Sequence, residues 1–279
     1  MKPYSLNIRG RLVEFDRPAI MGIVNITPDS FYSGSRVMDP ADIAARARAM
    51  VSAGADMLDI GACSTRPGSP SATEAEEMER LGMALPVIRQ AVGPDVIISV
   101  DTFRASVARR CVAEWGADII NDISGGAIDP DMFATVAELR VPYILMHMRG
   151  TPATMQGMTD YTDVTADVIA ELSRPLARLE ELGVCDVIVD PGFGFAKTLD
   201  QNYELMHNLP ALEIFGRPLL VGISRKSMLT RLLGIDASEA LPATCVLNAY
   251  ALERGAAILR VHDVAEARQT VEIYSHLSI

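Results

Sequence analysis

Two short segments near the end of the chain carry basic side chains that could bind phosphate. They are Ser224-Arg225-Lys226 and Arg260-Val261-His262, and each ends an apolar run. Arginine binds phosphate as a planar fork and lysine as a point charge, and an Arg-x-His spacing along a strand puts both side chains on one face. Either segment alone could be a solvated charge or a salt bridge at a strand end. The two together favour an anion site.

Three further polar residues, Asp101, Asn121 and Asp190, also end apolar runs and should be shielded from water. A shielded carboxylate must find hydrogen-bond donors. Helix capping by Asp101 and the Asp-Pro-Gly turn at Asp190 are structural alternatives. The functional alternative is a flat heterocycle rich in N–H groups, because a carboxylate can accept two parallel bonds from an amino-pyrimidine edge, as it does from arginine. Lys226 could then serve an acceptor on the same ring.

These residues belong to a pattern of eight apolar runs, each ended by polar residues and followed by a helical stretch. The runs are AIMGIVN, MLDIG, VIISVDT, DIINDIS, YILMHM, VIVDPG, LLVGISRK and AILRVHD. Apolar runs that are broken only at their C-terminal ends are typical of the buried strands of a parallel barrel. The C-terminal ends of such strands all face one mouth of the barrel, where active sites lie. We therefore predict an α/β fold, a TIM (β/α)8 barrel. We expect Asn25, Asp59 and His147 at the same mouth.

Local signals predict how the barrel is completed. The alternating stretch SLNIRGRLVEF turns at Arg9-Gly10 and predicts an N-terminal β-hairpin, which we expect to cover the barrel bottom. Asp39-Pro40 and Asp129-Pro130 have the pattern of an N-cap followed by proline. Capping-box spacing occurs at three places, Thr73 to Glu76, Thr198 to Gln201 and Asp263 to Glu266. Since α/β barrels of roughly 250 residues form one domain, we expect residues 1–279 to form a single domain.

Composition limits the possible partners and locations. The formal net charge of −11 disfavours nucleic acid and anionic membranes as partners, and cations at one mouth of an acidic protein suggest an anionic substrate. No apolar run approaches the ~18–20 residues that span a bilayer. The N-terminal stretch lacks the apolar core of a signal peptide, so we expect a cytoplasmic protein. The four cysteines form no CxxC pair, which argues against a disulfide framework.

A metal-hydrolase barrel is the rival from residue chemistry, because such enzymes commonly use several histidine and carboxylate ligands. His207 and His276 lie in helical stretches, and only His147 and His262 lie at strand ends. We expect His147 to be structural, and a zinc site built by the protein is disfavoured.

Seven motifs, in order along the chain, resemble the dihydropteroate synthase family. They are NITPDSF (25–31), LDIGACSTRPGS (58–69), SVDTFR (99–104), INDISGG (120–126), VDPGFGFAKT (189–198), GISRKSM (222–228) and RVHD (260–263). The resemblance implies a TIM-barrel transferase of folate biosynthesis. It implies condensation of 7,8-dihydropterin-6-ylmethyl diphosphate with 4-aminobenzoate, with release of diphosphate, assisted by Mg2+. It also implies a sulfonamide target and a homodimer.

The resemblance assigns expected roles to residues of this chain. The expected pterin pocket comprises Asp101, Asn121, Ile123, Met146, Asp190, Phe195, Gly222 and Lys226. The expected diphosphate site comprises Asn25, Arg260 and His262, with Asn25 also holding Mg2+. The expected surroundings of aminobenzoate are Phe31, Thr65, Arg66, Pro67, Lys226 and Ser227. The residues expected to take part in catalysis are Asn25, Arg66, Lys226, Arg260 and His262.

Two loops depart from the family pattern. The family's Ser-Asp-Gly-Gly is Tyr-Ser-Gly-Ser at residues 32–35, so Ser33 stands where the family has aspartate. In the second loop Cys63 replaces the family's glutamate. Both changes remove negative charge near the expected reaction centre. The altered loops leave open a non-catalytic pterin-binding paralogue. A folate-dependent methyltransferase barrel is a second alternative, because it would share the Asp/Asn pocket, but it needs no diphosphate clamp, so Arg260 and His262 weigh against it.

Overall fold

Eight parallel strands form a nearly closed barrel in the computed structural model, which describes residues 2–27, 39–63 and 72–277. The strands are β3 Ala19–Asn25, β4 Met57–Gly61, β5 Ile97–Asp101, β6 Ile119–Asp122, β7 Tyr143–Met146, β8 Val187–Asp190, β9 Leu220–Val221 and β10 Ile258–Val261. Their order in the sheet is β8-β7-β6-β5-β4-β3-β10-β9. A parallel bridge between Val189 of β8 and Leu219, the residue before β9, brings the two ends of the sheet together. Each of the eight apolar runs contains one of these strands, so the predicted barrel is confirmed.

Helices follow the strands and cover the outside of the barrel. In the described ranges they are α1 Pro40–Ser52, α2 Glu74–Val92, α3 Ala105–Trp115, α4 Met132–Leu139, α5 Val164–Glu181, α6 Leu199–His207, α7 Ser227–Leu233, α8 Leu241–Glu253 and α9 Val264–Leu277. Within these same ranges, two short 3-10 helices, Met155–Gly157 and Leu209–Phe215, lie in the connections. None of the helices in the described part of the chain combines the length and the apolar character that crossing a bilayer requires.

The side chains of the strands divide into two buried layers, as the alternation of a strand requires. Residues such as Leu58, Val100 and Val189 pack outward against the helices. Alternate residues such as Met57, Ile97 and Ile188 pack together inside the lower end of the barrel.

The N-terminal hairpin closes that lower end. Strand β1 (Tyr4–Ile8) pairs with strand β2 (Arg11–Phe15) in antiparallel register. Leu6 and Ile8 are buried in the same cluster as the inward residues of the lower barrel. The prediction that the hairpin covers the bottom is confirmed. The prediction of a single domain over residues 1–279 stays a prediction.

The predicted helix caps are mostly confirmed. Asp39 accepts from the N–H of Ala41 at 2.8 Å. Both backbone and side-chain bonds of a capping box are present at Thr73 with Glu76 and at Thr198 with Gln201.

The N-cap predicted at Asp129 is wrong, because α4 begins only at Met132. One oxygen of the Asp129 carboxylate instead accepts, at 2.7 Å, from the N–H of Ala105, the first residue of the neighbouring helix α3. Its other oxygen accepts from the N–H of Asp131, just before α4, at 3.0 Å. The carboxylate thus bonds one free N–H at the start of another helix and one N–H of its own turn.

Candidate active site

Polar residues at the C-terminal ends of three strands lie close together at the mouth of the barrel, with a glycine of a fourth strand between two of them. The strand register pairs Asn25 with Gly61, Gly61 with Asp101, and Asp101 with Asn121. A Cβ atom on Gly61 would lie 3.4 Å from Asn25 Oδ1 and 3.7 Å from Asp101 Cβ. The glycine therefore leaves room for the two flanking polar side chains to approach each other. Residues far apart in the chain meet at one end of the barrel, as the sequence predicted.

Arg260 lies on β10, which pairs with the edge of β3 that faces away from β4, and its side chain reaches the same group of residues. Its Nε donates to Asp59 Oδ2 at 2.7 Å, and its Nη2 donates to Asp101 Oδ2 at 2.9 Å. Asn121 Nδ2 donates to the same Asp59 oxygen at 3.0 Å. Asp59 is fully buried, and it holds one residue of the expected diphosphate site and one of the expected pterin pocket. No role of Asp59 in the site was predicted from sequence, although a carboxylate inside the buried run MLDIG was a signal for one.

Asp190 lies at the end of β8 and is 6% exposed. Its Oδ1 accepts from the N–H of Gly192 at 2.7 Å, and within the described residues it forms no salt bridge. Burial raises the pKa of this carboxyl, and nearby Lys226 is the largest influence that lowers it. Asp190 is thus a buried acceptor whose second oxygen has no hydrogen bond from a described protein group.

Lys226 lies beside the same part of the mouth. Its Nζ donates to Phe193 O at 2.6 Å and lies 4.8 Å from the centre of the Phe195 ring. A Cβ atom on Gly222 would lie 3.9 Å from this nitrogen and 3.7 Å from Arg260 Cβ. Burial lowers the pKa of Lys226 to about 8, and Asp190 opposes that shift. The absence of a side chain at Gly222 lets the two cations line one wall.

His262 completes the basic side of the site. Its Nδ1 lies 3.0 Å from Ser224 Oγ, which also accepts from the His262 backbone N–H at 3.2 Å. Burial lowers the pKa of His262 to about 4, and Arg260 adds to the shift. Arg225, by contrast, donates from Nε and Nη2 to Asp263 at 2.8 and 2.6 Å. The segment 224–226 therefore contributes Ser224 and Lys226 to the mouth, while Arg225 anchors the start of α9.

Several remaining expected site residues are placed near this group. Met146 pairs in register with Asp190, Ile123 follows β6, and both are 4% exposed. Ser227 is exposed at the first position of α7. Other expected residues lie outside the described ranges, namely Ser33 and the expected aminobenzoate residues Phe31, Thr65, Arg66 and Pro67.

His147 has the surroundings expected of a structural residue. It is 3% exposed, with Nε2 at 2.9 Å from Glu171 Oε2 and Nδ1 at 3.0 Å from Lys197 Nζ. Both ring nitrogens are therefore occupied by protein groups. In the part of the chain that the structure describes, no group of three or more His, Cys, Asp or Glu side chains is placed to hold a metal ion.

Comparison with known proteins agrees with this geometry. The family described as pterin binding enzyme matches residues 21–262. The chain belongs to the dihydropteroate synthase family of pterin-binding enzymes. It is 42% identical over 260 residues to a dihydropteroate synthase from Synechocystis sp., covering 92% of this chain and 89% of that protein. It is 40% identical over 267 residues to the Escherichia coli K12 dihydropteroate synthase, covering 95% and 93%.

Solved structures of dihydropteroate synthases have the same fold. A Yersinia pestis enzyme in a sulfonamide drug complex superposes with a TM-score of 0.91 and 37% identity, covering 99% of both chains. A Xanthomonas albilineans enzyme in complex with 7,8-dihydropteroate superposes with a TM-score of 0.87 and 33% identity, covering 99% of both chains.

The lowered pKa of His262 predicts a pH dependence of folding stability. The ordinary pKa of 6.5 applies to the unfolded chain, and the folded value is about 4, so between these values the unfolded state binds more protons. Stability should therefore fall as the pH falls from about 6.5 towards 4, with a slope of up to about 1.4 kcal/mol per pH unit from this group.

The measurement is the free energy of unfolding in urea at pH 7, 6 and 5, for the wild type and for His262→Asn. Asparagine can keep a hydrogen bond to Ser224 but does not titrate. We expect a shallower loss of stability in the variant. Parallel curves for the two proteins would contradict the assigned pKa.

Proposed function

We propose that the chain condenses 7,8-dihydropterin-6-ylmethyl diphosphate with 4-aminobenzoate, releasing diphosphate and forming 7,8-dihydropteroate. The observation that carries the proposal is the position of Arg260, which contacts Asp101 at 2.9 Å and lies two residues from His262 on the same strand end. The carboxylate of Asp101, which is suited to bind the N–H groups of the pterin, thus lies beside Arg260, which together with His262 is suited to bind the diphosphate leaving group. The family membership of the chain supports this substrate pair.

The acids and the amide would bind the pterin. The buried residue Asp190 offers a carboxylate oxygen with no hydrogen bond from a described protein group, and Asn121 offers a side chain with both donor and acceptor atoms. Two parallel N–H bonds from an amino-pyrimidine edge satisfy a carboxylate as arginine does. Lys226 Nζ would donate to an acceptor on the same ring. Ile123, Met146, Phe195 and Gly222 would surround its faces.

The basic residues would stabilise the leaving group. When the carbon–oxygen bond breaks, negative charge grows on the diphosphate, and positive character grows on the methylene carbon and spreads into the ring. Arg260 and His262 are placed to stabilise the anion where its charge develops. The carboxylates of Asp101 and Asp190 would stabilise the cationic ring. No covalent intermediate with the protein is required.

A divalent cation fits this site as a companion of the diphosphate. Asn25 Oδ1 is an oxygen donor at the mouth, facing the position of Asp101 across Gly61. Mg2+ prefers oxygen ligands and is commonly held by one or two protein oxygens together with substrate phosphates and water. Mg2+ held by Asn25 and the diphosphate would supply positive charge to the departing anion.

The amine of 4-aminobenzoate is a weak base, so its attack needs mainly correct positioning. Lys226 and Ser227 are the described residues that we assign to its carboxylate, and Ser227 is exposed at the N-terminus of α7. We assign Phe31, Thr65, Arg66 and Pro67 to the same substrate on the sequence motifs alone. Arg66 would add a cation close to the reacting groups.

We also propose that the protein is a homodimer that uses the outer face of α7, α8 and α9. Large apolar side chains on these helices are exposed, including Leu232 at 56%, Val246 at 73% and Ile273 at 64%. Val271 on α9, by contrast, is buried against the barrel. Exposed apolar side chains on adjacent helices are typical of a protein interface.

The activity itself is the first test. We expect diphosphate release from the pterin substrate to require 4-aminobenzoate and to fall strongly when EDTA removes Mg2+. A coupled assay for diphosphate, run with and without aminobenzoate, measures this. Release without aminobenzoate would mean hydrolysis, and no release at all would favour the non-catalytic paralogue.

Two substitutions should separate the two halves of the site. Asp190→Asn places an NH2 donor against ring N–H groups and should weaken binding of unsubstituted pterin by about 10- to 100-fold. His262→Asn should weaken diphosphate binding while leaving the affinity for unsubstituted pterin within about twofold. Calorimetry with each ligand measures both. Equal effects of either variant on both ligands would mean that the two subsites are wrongly divided.

The dimer is tested by Val246→Asp, which places a charge in the proposed interface. Light scattering should show a dimer for the wild type and a monomer for the variant. Leu12→Asp is the matched control, because Leu12 is 67% exposed but lies on the N-terminal hairpin. A monomeric wild type, or a variant that stays dimeric, would contradict the proposed interface.

A further inference from the structure

A buried lysine lies close enough to Asp190 to influence the pKa of that carboxyl. The chain has three lysines, Lys2, Lys197 and Lys226. Lys197 is 5% exposed and lies in the loop that joins β8 to α6. Burying an ammonium group is costly unless all its donors are satisfied. Its place in the fold therefore calls for an explanation that the proposed reaction does not supply.

The ammonium of Lys197 makes three hydrogen bonds. Its Nζ donates to Gly192 O at 3.0 Å, to Phe195 O at 3.1 Å and to His147 Nδ1 at 3.0 Å. An ammonium has three donors, so this set satisfies all of them. Two of the acceptors are backbone carbonyls of the loop after β8, and the third lies at the end of β7. Lys197 thus ties the loop to itself and to the neighbouring strand.

The orientation of His147 is fixed from the outside of the barrel. Because Nδ1 accepts from Lys197, the proton of the neutral ring is on Nε2, which donates to Glu171 Oε2 at 2.9 Å. Burial lowers the pKa of His147 to about 4, in agreement with a neutral ring. Glu171 in turn accepts from Arg149 Nε at 3.0 Å, and the Arg149 guanidinium lies 3.7 Å from the centre of the Tyr161 ring. A chain of contacts thus runs from the surface of α5 to Lys197.

The same loop presents its other side to the proposed pterin pocket. The N–H of Gly192 donates to Asp190 Oδ1 at 2.7 Å, and Phe193 O accepts from Lys226 Nζ at 2.6 Å. The Phe195 ring lies 4.8 Å from that nitrogen. Both residues that we assign to the ring edge are therefore held by this one loop.

The backbone conformation of the loop between β8 and α6 requires stabilising contacts of this kind. Gly192, Gly194 and Ala196 have φ values of 71°, 81° and 48°, in the left-handed region that non-glycine residues rarely adopt. A Cβ atom on Gly192 would lie 2.0 Å from His147 O, so the loop packs directly against the end of β7. A loop with this conformation persists only where surrounding contacts hold it.

We propose that Lys197 is a positioning residue for the pterin pocket, which closes the loop after β8 from behind and so orients Asp190 and Lys226. The inference rests on the proposed function, since it assigns the orientation of the two groups that would bind the ring edge. His147 and Glu171 fix Lys197 in turn. Lys197 does not touch the substrate; it acts through the loop.

The first experiment compares Lys197→Met with Lys2→Met. Methionine keeps the length of the lysine stem but has no donor, and Lys2 is a surface residue whose side chain is 87% exposed. Binding of unsubstituted pterin is measured by calorimetry well below the midpoint of thermal unfolding, and KM is measured for both substrates. We expect Lys197→Met to weaken pterin binding by about tenfold and to leave the KM for 4-aminobenzoate within about twofold. Lys2→Met should match the wild type in all three quantities.

A substrate-specific loss distinguishes positioning from general destabilisation. A fall in thermal stability with unchanged pterin affinity would overturn the proposal, and so would equal losses for both substrates. If the wild type bound pterin without releasing diphosphate, the proposed function would fail while a tenfold loss in Lys197→Met would still support the positioning role. If the wild type bound no pterin, both would be overturned.

A second pair of variants decides the matter if Lys197→Met does not fold. Glu171 is partly exposed, with 40% of its side chain accessible, so Glu171→Ala should be tolerated. It removes the acceptor that orients His147, and we expect pterin binding to weaken by about threefold. Asp167→Ala is the control, because Asp167 also pairs with Arg149, at 3.5 Å, but does not contact His147. Equal pterin affinities for the two variants would overturn the proposal.

Discussion

The buried carboxylate of Asp59 is the interaction on which the mouth of this barrel depends. Asp59 is fully buried, and a buried carboxylate requires hydrogen-bond donors. Its partners are Arg260, from a strand 201 residues later in the chain, and Asn121 from two strands away. Arg260 also bonds to Asp101, so two carboxylates share one guanidinium. These acidic, basic and amide side chains therefore form one hydrogen-bonded network before any substrate binds.

The barrel was predictable because its signals are repeated and local. Eight apolar runs, each ended by a polar residue, fix the number of strands, and parallel strands place all those ends together. Caps that use residues three apart, such as Thr73 with Glu76, were also readable from sequence. The convergence of Asn25, Asp101 and Asn121 follows from register alone, since adjacent strands bring their last residues to one level.

What could not be predicted are the pairings that depend on space rather than on sequence spacing. Asp129 has the pattern of an N-cap for its own helix but caps the neighbouring one. Arg225 has the pattern of a phosphate ligand but is bonded to Asp263. The bond between Asp59 and Arg260 joins the second and the last barrel strands, and no local pattern reports such a contact. Charged side chains choose among partners by proximity, which only the folded chain defines.

Asp190 shows how the proposed binding follows from the energetics of the fold. Its carboxylate is buried with one backbone donor, and burial raises its pKa, so the ionised form costs free energy in the protein alone. Lys226 and Lys197 lower that cost through their charge without forming a salt bridge with it. A ring with adjacent N–H donors would supply hydrogen bonds that no described protein group makes to this carboxylate. These bonds would offset the cost of burying the ionised group and so contribute to the affinity for the ring. An aspartate whose two oxygens both accepted hydrogen bonds from the protein would give a more stable protein with a lower affinity for the ring.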